Sequence, residues 1–171
     1  MNVKLKETEI LQMAASDPTA SVWVEASAGT GKTRILIDRI LRLILSETPT
    51  ANILCLTFTR AAATEMEERL KKRLLSWNTM PSARVMQDLK KLAPSLGTVE
   101  YLKKAQMLYD KIQWAQAWPK FHTIHSFCEF VLRMFPEEAG VNDFANVFPN
   151  KLQTIVGESG IKLSGGQRQR I

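Results

Sequence analysis

The sequence predicts an α/β chain, a partial parallel sheet whose run of strands is interrupted by a helical insertion and then resumed. Three observations lead there. A short apolar run, Val22, Trp23 and Val24, meets a loop of small residues and then a helix-length segment rich in Ile and Leu. A second run of strand type, Ile53 to Phe58, follows that helix, and strand, helix, strand order favours parallel pairing through right-handed crossovers. Between Met80 and Pro119 the spacing is helical only, before Phe121 to Ile124 resumes as a short strand.

Taken in order, an opening helix is expected over Glu7 to Ala15, ending near Asp17-Pro18, and a first strand over Ser21 to Glu25. The helix after the loop, Arg34 to Leu45, is apolar around most of its circumference (Ile35, Leu36, Ile37, Ile40, Leu41, Ile44), as expected beneath other elements. Ala61 to Trp77 is amphipathic, with Met66, Leu70, Leu74 and Trp77 in one stripe. In the insertion, about 79–119, Leu102, Ala105, Tyr109 and Ile112 mark one face, and Pro94 to Gly97 breaks the segment in two. A last helix is expected to bury Phe127, Phe130, Val131 and Met134 before Pro136 stops it. From about Asn142 the periodicity fades, so residues 1–141 read as the folded part and 142–171 as a poorly anchored tail.

The chain has 171 residues, 45% of them hydrophobic, which is enough for a core. No early apolar run resembles a signal peptide, and no stretch approaches the ~20 apolar residues that span a bilayer. A cytoplasmic protein without membrane insertion is therefore expected. Cys55 and Cys128 lack the paired spacing of a zinc site or disulfide framework and read as reduced core thiols. The net charge of +6 falls in the middle of the chain, where residues 60–120 carry twelve basic and six acidic side chains. Polyphosphate backbones attract such a patch, and solvated helix surfaces show the same excess, so charge alone leaves both readings open.

The loop itself is Ala26-Ser27-Ala28-Gly29-Thr30-Gly31-Lys32-Thr33. Small residues let the backbone curl so that successive N–H groups point inward, and a helix N-terminus beneath them adds partial positive charge. Gly29 and Gly31 supply permissive dihedrals. Lys32 reaches the β- and γ-phosphates as a mobile charge, and the Thr33 hydroxyl is placed to ligate a bridging magnesium ion. The common pattern begins with Gly where Ala26 stands. A plain Gly-rich turn accounts for Gly29 and Gly31 but not for Gly-Lys-Thr between strand and helix, so ATP with magnesium is the expected ligand.

Further segments add a family. Residues 1 to about 141 resemble the first motor domain of UvrD-like superfamily 1 DNA helicases, most nearly the AddA-type double-strand-break repair helicases. Gln12, in Ile10-Leu11-Gln12-Met13-Ala14, sits where that family keeps an adenine-binding glutamine, and Ala26 to Thr33, continuing through Arg34-Ile35-Leu36 to Arg39-Ile40, matches its phosphate loop. Leu56-Thr57-Phe58-Thr59-Arg60-Ala61-Ala62-Ala63-Thr64-Glu65-Met66 resembles motif Ia, and Thr123-Ile124-His125-Ser126-Phe127-Cys128 resembles motif Ib. The resemblance implies a RecA-like parallel sheet, a helical insertion in the place of subdomain 1B, and single-stranded DNA contacts at Thr57, Phe58, Arg60, Thr123 and His125. Thr hydroxyls and helix N-termini suit phosphate, Arg60 neutralises it, and Phe58 offers a base a stacking surface. It also implies a partner subunit that is a nuclease or helicase. Phe58 and the four tryptophans have core readings beside these, and His122, outside any motif, reads as structural.

The same family needs a buried strand ending in Asp-Glu and a second motor domain for hydrolysis. The adjacent carboxylates Glu137-Glu138 follow Pro136 and precede Ala139-Gly140, a helix end, so binding without efficient hydrolysis is expected of this chain. The tail adds a separate resemblance. Thr154-Ile155-Val156-Gly157-Glu158-Ser159-Gly160 and Leu163-Ser164-Gly165-Gly166-Gln167-Arg168-Gln169-Arg170 resemble the ABC transporter ATPase signature region. That implies Ser164, Gly166 and Gln167 as contacts to a nucleotide held by a second protomer. The rival expectations are a passive ATP and single-stranded-DNA module, an ABC-type fragment, or a non-functional fusion remnant.

Overall fold

A computed structural model of the chain describes residues 3–25, 27 and 31–135. Six α-helices and two short strands are placed among them: α1 Val3–Ala15, α2 Lys32–Leu45, β1 Leu54–Thr57, α3 Arg60–Thr79, α4 Ser82–Leu92, α5 Val99–Trp114, β2 Lys120–Thr123 and α6 Ile124–Met134. The chain divides into two compact units, residues 1–121 and 122–171.

The first unit is built around one core that α2, α3, α4 and α5 share. From α2 come Ile37, Ile40, Leu41, Ile44 and Leu45, and from α3 Met66, Leu70, Leu74 and Trp77. Val85, Leu89 and Leu92 enter from α4, Ala105, Leu108 and Ile112 from α5. The apolar stripes read from sequence are therefore the buried ones, since i, i+3, i+4 spacing puts them on one helix face. The helical segment after Thr79 closes over α2 and α3 and belongs to the same core.

Threonine caps begin two of these helices. The Thr59 hydroxyl accepts from the Ala62 N–H at 3.2 Å at the start of α3, and Thr98 accepts from the Tyr101 N–H at 3.3 Å at the start of α5. Each satisfies one of the donors that a helix N-terminus leaves over. Between α4 and α5, Pro94 opens a single 3-10 turn, Pro94–Leu96, which is the break the sequence marks at Pro94 to Gly97. Trp118 then packs edge-on to Tyr109, with ring centroids 6.0 Å apart, while the Lys71 ammonium lies 5.2 Å from its ring centre.

β1 and β2 form a two-stranded parallel sheet, which the Lys120 N–H enters by donating to the Ile53 carbonyl at 3.1 Å. Along β1, Leu54 and Leu56 are exposed and alternate with half-buried Cys55 and Thr57. Leucines on the open face mark a strand whose composition suits cover on both sides.

Several expectations are corrected here. Ser21 to Glu25 is not a strand: the segment pairs with no strand among the described residues, and Val22, Trp23 and Val24 are exposed. A strand exists only through hydrogen bonds to a neighbour, so an apolar run cannot form one alone. In the second unit, α6 forms where expected, yet Phe130, Val131 and Met134 are exposed and Phe127 only half-buried. Cys128 is likewise exposed and Cys55 half-buried. Of the tryptophans, Trp77 is fully buried and Trp118 half-buried, whereas Trp23 and Trp114 are exposed. No helix among the described residues is long and apolar enough to cross a membrane.

Candidate functional site

The described end of the loop is Gly31, whose backbone sits at φ 89°, ψ 18° as the N-cap of α2. That left-handed conformation is one a side chain resists, which is why glycine stands there. The α2 ladder begins with the Ile35 N–H donating to the Gly31 carbonyl at 3.1 Å. The amides of the first turn thus precede the ladder, at the positive end of the helix dipole. Lys32 opens the helix, and its ammonium donates back to the Ser27 carbonyl at 2.8 Å. Half-buried Thr33 follows it in the first turn. Ala26, Ala28, Gly29 and Thr30 lie outside the described residues.

Gln12 arrives from α1. A side-chain carbon built on Gly31 would stand 3.9 Å from the Gln12 Nε2, so the amide and the loop exit are neighbours although nineteen positions separate them in sequence. Beside Gln12 opens a largely polar cavity of about 400 Å³, lined also by Arg34, Asp38, Lys90 and Lys91. Arg34 and Asp38 pair at 3.6 Å along α2. Burial pushes the Asp38 carboxyl above its ordinary value, against the pull of Arg73 and Arg34. Lys90 reaches the cavity with its stem across Gly97, where a Cβ would stand 2.5 Å from the Lys90 Cγ. These cavity residues come from α1, α2 and α4, a convergence with no local signal in sequence.

Two arginines one turn apart on α2 hold α1. Arg42 Nη1 donates to the Met13 carbonyl at 2.8 Å and to the Ser16 hydroxyl at 3.0 Å, while Nη2 lies 3.2 Å from the Asp17 carboxylate. Arg39 donates to the carbonyls of Asp17 and Ala20, the latter at 2.7 Å. Thr19 closes the turn, its N–H and hydroxyl both donating to the Asp17 carboxylate at 3.0 and 2.8 Å. Those bonds, with Arg42, hold Asp17 below its ordinary carboxyl value. In the sequence the sign was an i, i+3 pair of arginines, Arg39 and Arg42, set among the isoleucines and leucines of the second half of α2.

At the junction of β1 and α3, the Thr57 hydroxyl donates to the Thr59 carbonyl at 2.9 Å and Thr59 caps the helix. The junction presents Phe58, 82% exposed, and Arg60, exposed as the first residue of α3. In the second unit, Thr123 is buried and accepts from the Ser126 N–H at 3.1 Å in a capping box, so its hydroxyl is committed to the helix end. His125 is exposed in the first turn of α6, and His122 stacks on Phe130 with centroids 6.2 Å apart. Ser164, Gly166 and Gln167 of the tail, and the rest of 142–171, lie outside the described residues.

The fold is thus an α/β chain, mostly helical, with a two-stranded parallel sheet whose strands each run into a threonine-capped helix. The family model of the UvrD/REP helicase N-terminal domain matches residues 7–163, and the chain belongs to that family. The match runs past residue 141 and takes in most of the tail, ending just before Ser164. Among its relatives is an ATP-dependent helicase/nuclease subunit of Lactobacillus acidophilus, 31% identical over 146 residues, which is 85% of this chain and 10% of that protein. The protein of the same name from Lactobacillus gasseri is 46% identical over 67 residues, 39% of this chain and 6% of that protein. The RecBCD enzyme subunit RecB of Chlamydia trachomatis is 38% identical over 129 residues, 70% of this chain and 12% of that protein. The chain thus spans roughly a tenth of the length of these curated relatives.

Proposed function

We propose that this chain is the ATP-binding part of a DNA helicase motor acting in recombination and double-strand-break repair. The observation that carries the reading is the nearness of the Gln12 amide to Gly31, beside a Lys32 whose ammonium reaches back to the Ser27 carbonyl. An amide side chain pairs with the donor and acceptor edge of adenine, and the helix N-terminus with Lys32 suits the phosphates. The donor set also fits magnesium, through the Thr33 hydroxyl. When bound, the ion would neutralise phosphate charge, held through Thr33, while Ala26 to Thr33 and Gln12 would hold the nucleotide.

Single-stranded DNA is the proposed second ligand, at Thr57, Phe58 and Arg60 in the first unit and, as a separate contact, at His125 in the second, where Thr123 serves as the buried cap of the helix. An exposed phenylalanine beside an arginine at a helix N-terminus supports this, since stacking and phosphate neutralisation are the two needs of a single strand. The relatives' names, a helicase/nuclease subunit and a RecBCD enzyme subunit, support a nuclease or helicase as partner, and a cytoplasmic setting is proposed with it. With Glu137-Glu138 as its late carboxylate pair, this chain alone is proposed to bind ATP without unwinding. Equilibrium titration with magnesium ATP and with a fluorescent oligothymidine tests the reading. Saturable binding of both, with DNA affinity falling steeply as salt rises, supports it; no ATP binding, or salt-insensitive DNA binding, refutes it.

A further inference from the structure

Gln12 lies in the last turn of α1, the end of that helix that α2 holds. Arg42 spans the last turn of α1 and the turn beyond it, touching the Met13 carbonyl, the Ser16 hydroxyl and the Asp17 carboxylate. Arg39 takes the next two carbonyls, of Asp17 and Ala20. The Ser16 side chain is buried, and its hydroxyl donates back to the Met13 carbonyl at 2.9 Å, so donor and acceptors form one closed set. The outer face of α1 is open, with Ile10 and Leu11 about two-thirds exposed at 66% and 65%.

We infer that Arg42, with Arg39, is a positioning residue for base recognition: it fixes the register of α1 on α2 and thereby places the Gln12 amide at the loop exit. The inference rests on the adenine reading of Gln12. Because α2 carries both the clamp and Lys32, one rigid helix sets the base-reading arm and the phosphate-reading arm in a common frame. A planar guanidinium suits this task, since its fork meets three acceptors at fixed angles and a lysine ammonium does not.

The test compares two probes, ATP and inorganic tripolyphosphate, on the full 171-residue chain and its variants. Tripolyphosphate engages the loop alone, so the ratio of the two affinities reads the base contact. Gln12→Ala is expected to weaken ATP about tenfold, the equivalent of one hydrogen-bonded contact, and to leave tripolyphosphate unchanged. Arg42→Met should reproduce that pattern, and Gln12→Ala with Arg42→Met should lose no more than either alone. Should Arg42→Met not fold, Arg42→Lys carries the same test and is expected to lower the ratio by at least about threefold. A clamp variant that keeps the wild-type ratio, or that weakens both probes equally, overturns the positioning role while leaving the Gln12 reading in place. Gln12→Ala with an unchanged ratio overturns the adenine reading and the clamp's purpose with it.

Discussion

The indole N–H of Trp77 donates to one carboxylate oxygen of Asp88 at 2.6 Å, and Arg73 takes the other oxygen at 2.7 Å. Trp77 belongs to α3, Asp88 to α4, and the ring is fully buried. The pair therefore ties α4 to α3. Trp77→Ala is expected to cost about 3–5 kcal/mol of stability, a core cavity plus an orphaned carboxylate oxygen. Trp77→Phe keeps most of the volume and should cost less. Urea unfolding followed by circular dichroism measures both; a loss within error for Trp77→Ala would mean that α4 does not share a core with α3.

Asp17 and Asp38 titrate in opposite directions. Thr19 and Arg42 hold Asp17 low, so its contribution is present above the ordinary carboxyl value of 3.8 and is lost as pH falls through the lower folded value. Burial holds Asp38 high, so folding favours its protonated form and its ionised form at neutral pH weakens the fold. Asp38→Asn is expected to raise the thermal midpoint at pH 7, the gain shrinking toward pH 4. Asp17→Asn should lower the midpoint at pH 7 and matter less in acid. Melting curves across pH decide it, and the same sign for both variants would contradict the assignment.

Burial raises the Cys55 thiol from its ordinary 9.0 to about 11. Cys128 is exposed. Because the thiolate is the reactive form, iodoacetamide at pH 8 should modify Cys128 first, and labelling of Cys55 in the folded chain should accelerate only as pH approaches its raised value. Stability should likewise fall between pH 9 and about 11, where the unfolded chain ionises this thiol and the folded chain does not. Mass spectrometry of timed samples reads the order; equal rates at pH 8 would overturn it.

Phe58 and Arg60 separate stacking from charge. Phe58 is exposed, so Phe58→Ala should leave the melting temperature unchanged while weakening single-stranded DNA by about 1–3 kcal/mol. Arg60→Ala should instead shallow the salt dependence, reducing the slope of log affinity against log salt by about one unit or less. Fluorescence anisotropy at several salt concentrations distinguishes the two. Unaltered DNA affinity in Phe58→Ala would remove the stacking role.

The helices were legible because their cause is local. Met66, Leu70, Leu74 and Trp77 announce a buried stripe by spacing alone, and Pro94 announces a break. The strand expected at Ser21 to Glu25 failed for the converse reason, since Val22 and Val24 need a hydrogen-bonded neighbour that no local pattern supplies. α6 shows a further limit: periodicity located the helix, but burial of Phe130 and Met134 depends on what packs there. At the site, the residue types of the loop were readable, including the need for glycine at Gly31. The cavity residues Arg34, Lys90 and Lys91 and the arginine clamp arise from three helices converging, which sequence order does not display.

ATP affinity of the chain and of Lys32→Ala, measured by calorimetry in magnesium, tests the central claim most directly. The Lys32 ammonium, now donated to the Ser27 carbonyl, would turn to phosphate, and its removal should weaken ATP at least about tenfold with the fold intact. Equal affinity in the two proteins would contradict the account.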